Sequence, residues 1–445
     1  MFKQRFMKDK NFLLLFFGSL VSGIGSRVYG FGISLYLLDL TGLATSMATY
    51  IAIWTFVMFV LSPIAATFTD RWKKKVKVLY ITDFGRGIVY LITGASVYYW
   101  NSIGNTDLVL TTIYVFLVFI AIQTAFFSPA SSALLPQIVP SEELVSASSL
   151  FQLTRSLQTI AGLALGAFLY ASYGIVILII INAISFILSA ISEMFIKYDT
   201  AVNQDRLDKS AYKEEEPIIG NKLTHYCKRI YLDLKEATIY IFRDAKPIAA
   251  IVFIIVISLT MAEPYFSVGI PYIIKEYLTF ANFGPDYILA GSESAVSIGI
   301  IVMSVIVASY LGTKLKIHQF LKIAGIVFLF IAILYFVLIR LFDYNIIQEN
   351  TFLIIFISAN FIFGLTNAFL NAPLNAAISK YVDPNKIGKV VTMMDSFGGV
   401  LMPFAILLSG LLIDKVSVYI VIYSLILGII LMNIIIYKNK HLKEL

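Results

Sequence analysis

The sequence predicts an all-α integral membrane protein with twelve transmembrane helices in two six-helix, pseudo-symmetric halves. Three observations carry that prediction. Hydrophobic residues make up 59% of the 445, mean hydropathy is +0.85 and only 14% are charged, where a soluble chain carries about a quarter. Apolar runs of roughly 20 residues recur along the whole chain, each long enough to cross ~30 Å of hydrocarbon. The chain also repeats itself: Pro129 and Pro140 recur as Pro373 and Pro384 at the same separation, and Gly166 recurs as Gly410 at the same offset. FFSPASSALLPQIVP thus aligns with FLNAPLNAAISKYVDP, each reading as the close of one hydrophobic helix and the lead into the next. Two copies of a multi-helix unit in a membrane chain is a common build of secondary transporters, with the substrate site between the halves.

The expected spans lie near 11–37, 44–68, 76–100, 108–134, 144–170, 175–196, 247–274, 287–311, 317–339, 352–378, 387–413 and 416–437. The first has the basic start and apolar run of a signal peptide. It is long, contains Arg27, lacks a clean small-residue cleavage site and is followed by further spans, so it reads as a retained helix. Lys and Arg crowd the N-terminus (Lys3, Arg5, Lys8, Lys10), the second loop (Arg71, Lys73, Lys74, Lys75, Lys77) and the central segment. They also mark the loops with Lys314 and Lys316 and with Lys380, Lys386 and Lys389, and the tail from Lys438. The alternate loops are nearly free of them, with Lys275, Arg340 and Lys415 as exceptions. Cationic loops stay on the cytoplasmic side, which places both termini and the central loop inside. This bias accounts for the net charge of +7, so the charge is not a nucleic-acid footprint.

Residues 1–196 form the expected N-terminal bundle and 247–445 the C-terminal bundle. The linker at 197–246 is polar, mixed in charge and carries Glu214-Glu215-Glu216-Pro217. In its second part Leu223, Cys227, Ile230, Leu234, Ala237 and Ile241 recur at helical spacing opposite charged residues. That pattern predicts an amphipathic helix along the inner membrane face. The lone Cys227 excludes an internal disulfide framework and a multi-cysteine metal site. His225, His318 and His441 fall in loops or the tail, and no GxxxxGK[ST] loop occurs. No metal, cofactor, nucleotide hydrolysis or catalytic group is expected; uphill movement needs an ion gradient or the membrane potential.

The segment SPIAATFTDRWKKKVKVLYITDFGRG joins helices two and three. It resembles the signature loop of the major facilitator superfamily, usually written GxLaDrxGrr, with Asp70 and Arg71 at the Asp-Arg positions. Asp83 and Arg86 resemble the Asp-x-x-Arg pair of the branch containing macrolide-efflux and siderophore-export proteins. FFSPASSALLPQIVPSEELVSASSL is similar to that branch as well. The resemblance covers nearly the whole chain and implies alternating access by a functional monomer. Two positions depart from the pattern: Ala66 replaces the loop's leading glycine, and Gly162-Leu163 replaces the Gly-Pro of the fifth-helix antiporter motif, although Gly166 is kept. Asp70 and Arg71 would latch the cytoplasmic side. Asp83 and Arg86, three apart, share one helix face and can pair within a turn.

Charges within the membrane cost ~2.5–3.5 kcal/mol at a helix centre on insertion scales, so they face a partner or a wet cavity. Arg27 lies mid-helix in a stretch rich in glycine (Gly18, Gly23, Gly25, Gly30), and Glu263 lies mid-helix before Pro264. Proline removes a backbone hydrogen bond, so a bend is expected beside that carboxylate. Their helices occupy corresponding places in the repeat, and Glu263 opposite Arg27 would suit a proton-coupling site. Glu293, in the outer part of helix eight, is a second candidate proton site. Asn360, Asn367, Asn371 and Asn375 fall on one stripe of helix ten, and the repeat sets Gln123 opposite Asn367. Such amides either bond to neighbouring helices or line a wet path. Tyr29, Phe31, Tyr36, Tyr50, Trp54, Phe126, Phe127, Tyr265 and Phe266 supply material for an apolar pocket wall.

The expectation is a proton-coupled exporter of amphipathic small molecules in a bacterial inner membrane, partnered by solute, protons and the lipid bilayer. The alternatives are an importer and a carrier of lysolipids or similar amphiphiles. The sequence disfavours a membrane enzyme, because no intramembrane histidine or nucleophile–base pair occurs, and a receptor, because no sizeable external domain does.

Overall fold

A computed structural model describes residues 5–71, 75–140, 143–197, 235–236, 238–243, 246–307, 317–382, 387–440 and 442. Among these the regular structure is all helical. The helices are α1 (Lys10–Thr41), α2 (Ala44–Arg71), α3 (Lys75–Ser102) and α4 (Thr106–Ile138). Leu144–Met194 follows as two helices, α5 (144–173) and α6 (175–194), broken at Gly174. Then come α7 (Pro247–Tyr277), α8 (Pro285–Ile306), α9 (Ile317–Asp343), α10 (Glu349–Tyr381), α11 (Ile387–Lys415) and α12 (Tyr419–Lys438). Ten helices among the described residues are long and apolar enough to cross a membrane. Helix α3 falls outside that set, and α5 and α6 enter it together as the single stretch 165–194.

The chain divides into two compact units: residues 1–42 with 53–215, and residues 43–52 with 216–445. The division therefore falls at the α1–α2 turn and again within α2, whose first residues to Ala52 belong to unit 2. In unit 1, α1 and α3 pack on the α5–α6 segment and α3 packs on α4. In unit 2, α10 packs on α8 and α9, α9 on α12, and α7 on α11 and α12. Most of the expected linker helix lies outside the described residues. Within its described end, 238–243 is helical with Ile241 buried and Ile239 exposed, as an apolar stripe through Ile241 requires.

Local chemistry sets the helix ends. Asp9 caps α1, its carboxylate accepting from the backbone N–H of Asn11 (2.8 Å) and Phe12 (3.0 Å). The α1–α2, α3–α4 and α5–α6 turns hold Gly42, Gly104 and Gly174 at φ of 65°, 70° and 72°. Gly174 also has ψ of −179°, a region closed to residues with a Cβ. Helix α4 runs through Pro129 and Pro136 and ends at Ile138, so the closing proline is Pro140. Proline inside a membrane helix is tolerated where neighbours satisfy the freed carbonyl.

The glycine-rich helix α1 is continuous from Lys10 to Thr41. Its glycines admit neighbours. A Cβ at Gly23 would fall 2.2 Å from the Gln158 amide, at Gly25 2.2 Å from Ser185 Oγ, and at Gly32 2.2 Å from Leu178. Small residues that let helices approach are the expected interface of a membrane bundle, where lipid is as apolar as Leu. In unit 2 the close approach lies between α8 and α10. A Cβ at Gly299 would be 2.4 Å from Phe361 O, and one at Gly364 2.1 Å from Val296 O.

Candidate functional site

Helix α7 is where the backbone departs from regular α-helix. Ser258–Ala262, Tyr265–Gly269 and Ile273–Tyr277 are π-helical turns, and Glu263 and Pro264 stand between the first two. Pro264 has no N–H to close an α-helical bond, and the chain re-registers around it: Glu263 N bonds to Ser258 O and Ile270 N to Tyr265 O, each five residues back. The bend expected from Pro264 thus takes the form of widened turns. Ser267 Oγ donates to Glu263 O at 2.9 Å. The carboxylate is half-buried, and no described residue forms an ion pair with it. Around it α7 packs through Leu259 on Gly398 and through Met261 on Gly428.

Arg27 is exposed on α1, its Cβ side against Gly162 of α5. Glu293 is exposed on α8 and acts electrostatically on the buried Tyr335. The asparagine stripe of α10 divides along its length. Asn360 is 2% exposed and donates to Phe356 O of its own helix at 2.9 Å. One turn beyond the midpoint, Asn371 Nδ2 donates to Asn367 Oδ1 at 2.7 Å on an exposed face. Asn375 lies outside the described side chains. Gln123 of α4 sits against Gly85 of α3, with Oε1 buried and lacking a hydrogen-bond partner.

Asp70 and Arg71, the expected latch, also lie outside the described side chains. From the same basic run, buried Lys75 donates to Thr69 O at 3.1 Å, tying the start of α3 to a carbonyl near the end of α2. Asp83 and Arg86 do pair, Nη2 to Oδ1, and both are buried. The guanidinium lies over two rings, 4.4 Å from the Phe127 centroid and 4.3 Å from that of Phe186. Two expected pocket-wall residues are packing residues: Tyr29 stacks edge-on against Tyr90, and Tyr265 packs on Tyr335 with no exposure.

Two further carboxylates gain their place only from the fold. Glu193 is fully buried near the end of α6; as a lone Glu close to a span end it reads like an interfacial group. Asp414 ends α11 and accepts from Ala44 N (2.8 Å), Thr45 N (2.9 Å) and Thr45 Oγ1, capping α2 from a distant part of the chain. No local spacing signals that contact. The matching position in the repeat is Tyr170, whose hydroxyl donates to Asp39.

Comparison with known proteins agrees with this architecture. The family model described as Major Facilitator Superfamily matches residues 15–348. The chain is 26% identical over 400 residues to the uncharacterized MFS-type transporter YkuC of Bacillus subtilis (strain 168), covering 88% of this chain and 82% of that one. It is 23% identical over 410 residues to macrolide efflux protein A of Streptococcus pyogenes, covering 92% and 90%. Among solved structures it is similar to a bacterial homologue of the iron transporter ferroportin in an inward-facing state. There the TM-score is 0.67 and the identity 14%, over 97% of this chain and 98% of that one. It is likewise similar to the nucleoside transporter NupG, with TM-score 0.68 and 11% identity over 97% and 100%. Identities this low speak for the fold alone. A multi-pass helical chain with this match along most of its length is a transporter of small molecules and not an enzyme, and it belongs to the major facilitator superfamily.

Proposed function

We propose that the protein is a proton-coupled exporter of amphipathic small molecules that works by alternating access. Its twelve spans would form two six-helix halves, 1–196 and 247–445, joined by the linker at 197–246. It would act as a monomer in a bacterial plasma membrane with both termini cytoplasmic, as the Lys and Arg bias indicates. The observation that carries the reading is Glu263, a mid-span carboxylate flanked by π-helical turns with no ion-pair partner among the described residues. Such turns recur at functional sites. A carboxylate in that setting binds a proton on one side of the membrane and releases it on the other, and a cationic solute competes for it. Similarity to a macrolide efflux protein supports export and a bulky, partly apolar substrate. The exposed amides of Asn367 and Asn371, with Arg27 and Glu293, are the polar groups we assign to the solute path.

The test is efflux of a dye and a macrolide from energised, sealed vesicles, comparing native protein with Glu263→Gln and adding a protonophore. Efflux that needs both the gradient and Glu263 is the expected result. Efflux that needs the gradient but survives the substitution moves coupling to Glu293 or another carboxylate. Absence of efflux for every probe overturns the exporter reading.

A further inference from the structure

Unit 1 contains two buried carboxylates and one buried guanidinium in one place. Asp83 and Glu193 are fully buried and Arg86 is 5% exposed. Arg86 Nη2 donates to Asp83 Oδ1, which leaves Asp83 Oδ2, Arg86 Nε and both oxygens of Glu193 buried without a partner in hydrogen-bonding geometry. Asp83, Arg86 and the Ser189 hydroxyl all act on the Glu193 carboxyl. A buried charge needs its own counter-charge, and a carboxylate denied one takes up a proton instead.

We propose that Asp83, Arg86 and Glu193 form a one-proton site inside unit 1. Arg86 neutralises one carboxylate while the other carries a proton taken from bulk water, whose new O–H bond supplies the donor that the orphaned Asp83 Oδ2 lacks. Either carboxylate can pair with the arginine, so the site has two arrangements that differ in which of α3 and α6 holds the proton.

The surroundings make this a closed compartment. Phe127 of α4 and Phe186 of α6 hold the guanidinium between them. From α1, Leu14 O accepts from Ser192 Oγ at 2.8 Å, and Gly18 faces Ser189, with no titratable group. From α4, Gln123 presses on Gly85. One turn nearer the helix ends, Leu15, Val76, Leu79, Ala130, Leu134 and Ile196 form an apolar plug, and Tyr80 is the titratable residue packed against it. The charged groups facing Glu193 are therefore Asp83 and Arg86, both from α3. The site belongs to unit 1, whereas Glu263 belongs to unit 2.

The experiment is infrared spectroscopy of the full chain in lipid nanodiscs, in H2O and D2O at neutral pH, with Glu263→Gln as the background. That background removes the coupling carboxylate proposed for unit 2, the band is assigned by its loss in the unit 1 variants while Glu293 stays intact in all of them, and the readout is independent of transport. A protonated-carboxyl C=O band is expected, lost in Glu193→Gln and recovered at a shifted frequency in Glu193→Asp. Asp83→Asn should also abolish the band, because Glu193 then ionises to pair with Arg86. Glu193→Gln, isosteric with the acid, should keep its melting temperature, whereas Arg86→Leu should lower it. The proposal is overturned by an unchanged band in Glu193→Gln, by a band that persists in Asp83→Asn, or by a melting temperature in Glu193→Gln that falls as far as in Arg86→Leu.

Discussion

The turns of unit 1 and those of unit 2 do the same topological work with different chemistry. In unit 1 the α1–α2, α3–α4 and α5–α6 turns each pivot on a glycine at positive φ. In unit 2 no described turn holds a glycine at positive φ: the α9–α10 turn holds Asn345 there, and side chains tie the connections. Lys275 pairs with Asp286 across the α7–α8 turn. The Glu349 carboxylate accepts from the backbone N–H of Ala281 (2.9 Å), Asn282 (3.1 Å) and Phe283 (3.0 Å). Tyr277 and Tyr419 both donate to Asp343, at 2.9 and 3.1 Å, and the Arg340 guanidinium lies 4.2 Å over the Tyr419 ring. A glycine turn needs no partner; a side-chain tie binds neighbouring helices to one another and depends on charge. The repeat preserved prolines and helices, and it did not preserve these devices. Gly166 shows the same divergence, meeting Val28 and Phe31 of α1, while its counterpart Gly410 meets Ala44, Thr45 and Ala48 of α2.

The largest effects are expected at helix crossings. Gly364→Ala places a Cβ against the Val296 carbonyl, and backbone cannot step aside. The expected cost reaches the top of the ~1–3 kcal/mol overpacking range or exceeds it, read as a lost monodisperse peak or a collapsed melting temperature. Gly23→Ala meets only the flexible end of Gln158 and should cost less. Gly30, with nothing within 4 Å, should accept Ala with no loss or a gain of up to about 1 kcal/mol. Equal losses at Gly364 and Gly23 would erase the distinction between backbone and side-chain contacts.

At the turns, Gly174→Ala should cost ~1–3 kcal/mol because its backbone region is closed to a Cβ. Asn345, at φ of 56°, should accept Gly almost without change. Thermal unfolding in matched detergent separates the two. Asp414→Ala should cost about 1 kcal/mol as a lost helix cap, and Tyr170→Phe, at its counterpart position, no more than ~0.5–1.5 kcal/mol. The Asp414 effect should shrink in high salt and the Tyr170 effect should not; the same salt dependence in both would contradict the assigned chemistry. The smallest change is expected for Glu349→Gln, below about 1 kcal/mol, since the N–H groups of 281–283 can turn to water when the charge is removed. A larger loss there would mean the tie stabilises unit 2 more than the unit 1 turns suggest.

Local rules were enough for much of this molecule. The length of the apolar runs located the helices, and spacing of three residues on one helix was sufficient to predict the Asp83–Arg86 pair. Lys275 and Arg340, which break the charge bias, read as unexplained exceptions until Asp286 and the Tyr419 ring came beside them. Pro264 announced a disturbance in α7 without saying that it would be taken up by π-helical turns.

A short stretch of chain settles some features alone: apolar length against the bilayer, proline and glycine punctuation, a pair one turn apart. Packing between helices settled which glycines meet backbone and which meet side chains, that Asp414 caps a helix whose sequence lies far away, and that Glu193 is buried together with Asp83 and Arg86. The reason is physical. The free energy of a buried charge or a close approach depends on the groups that face it, and those groups come from other helices.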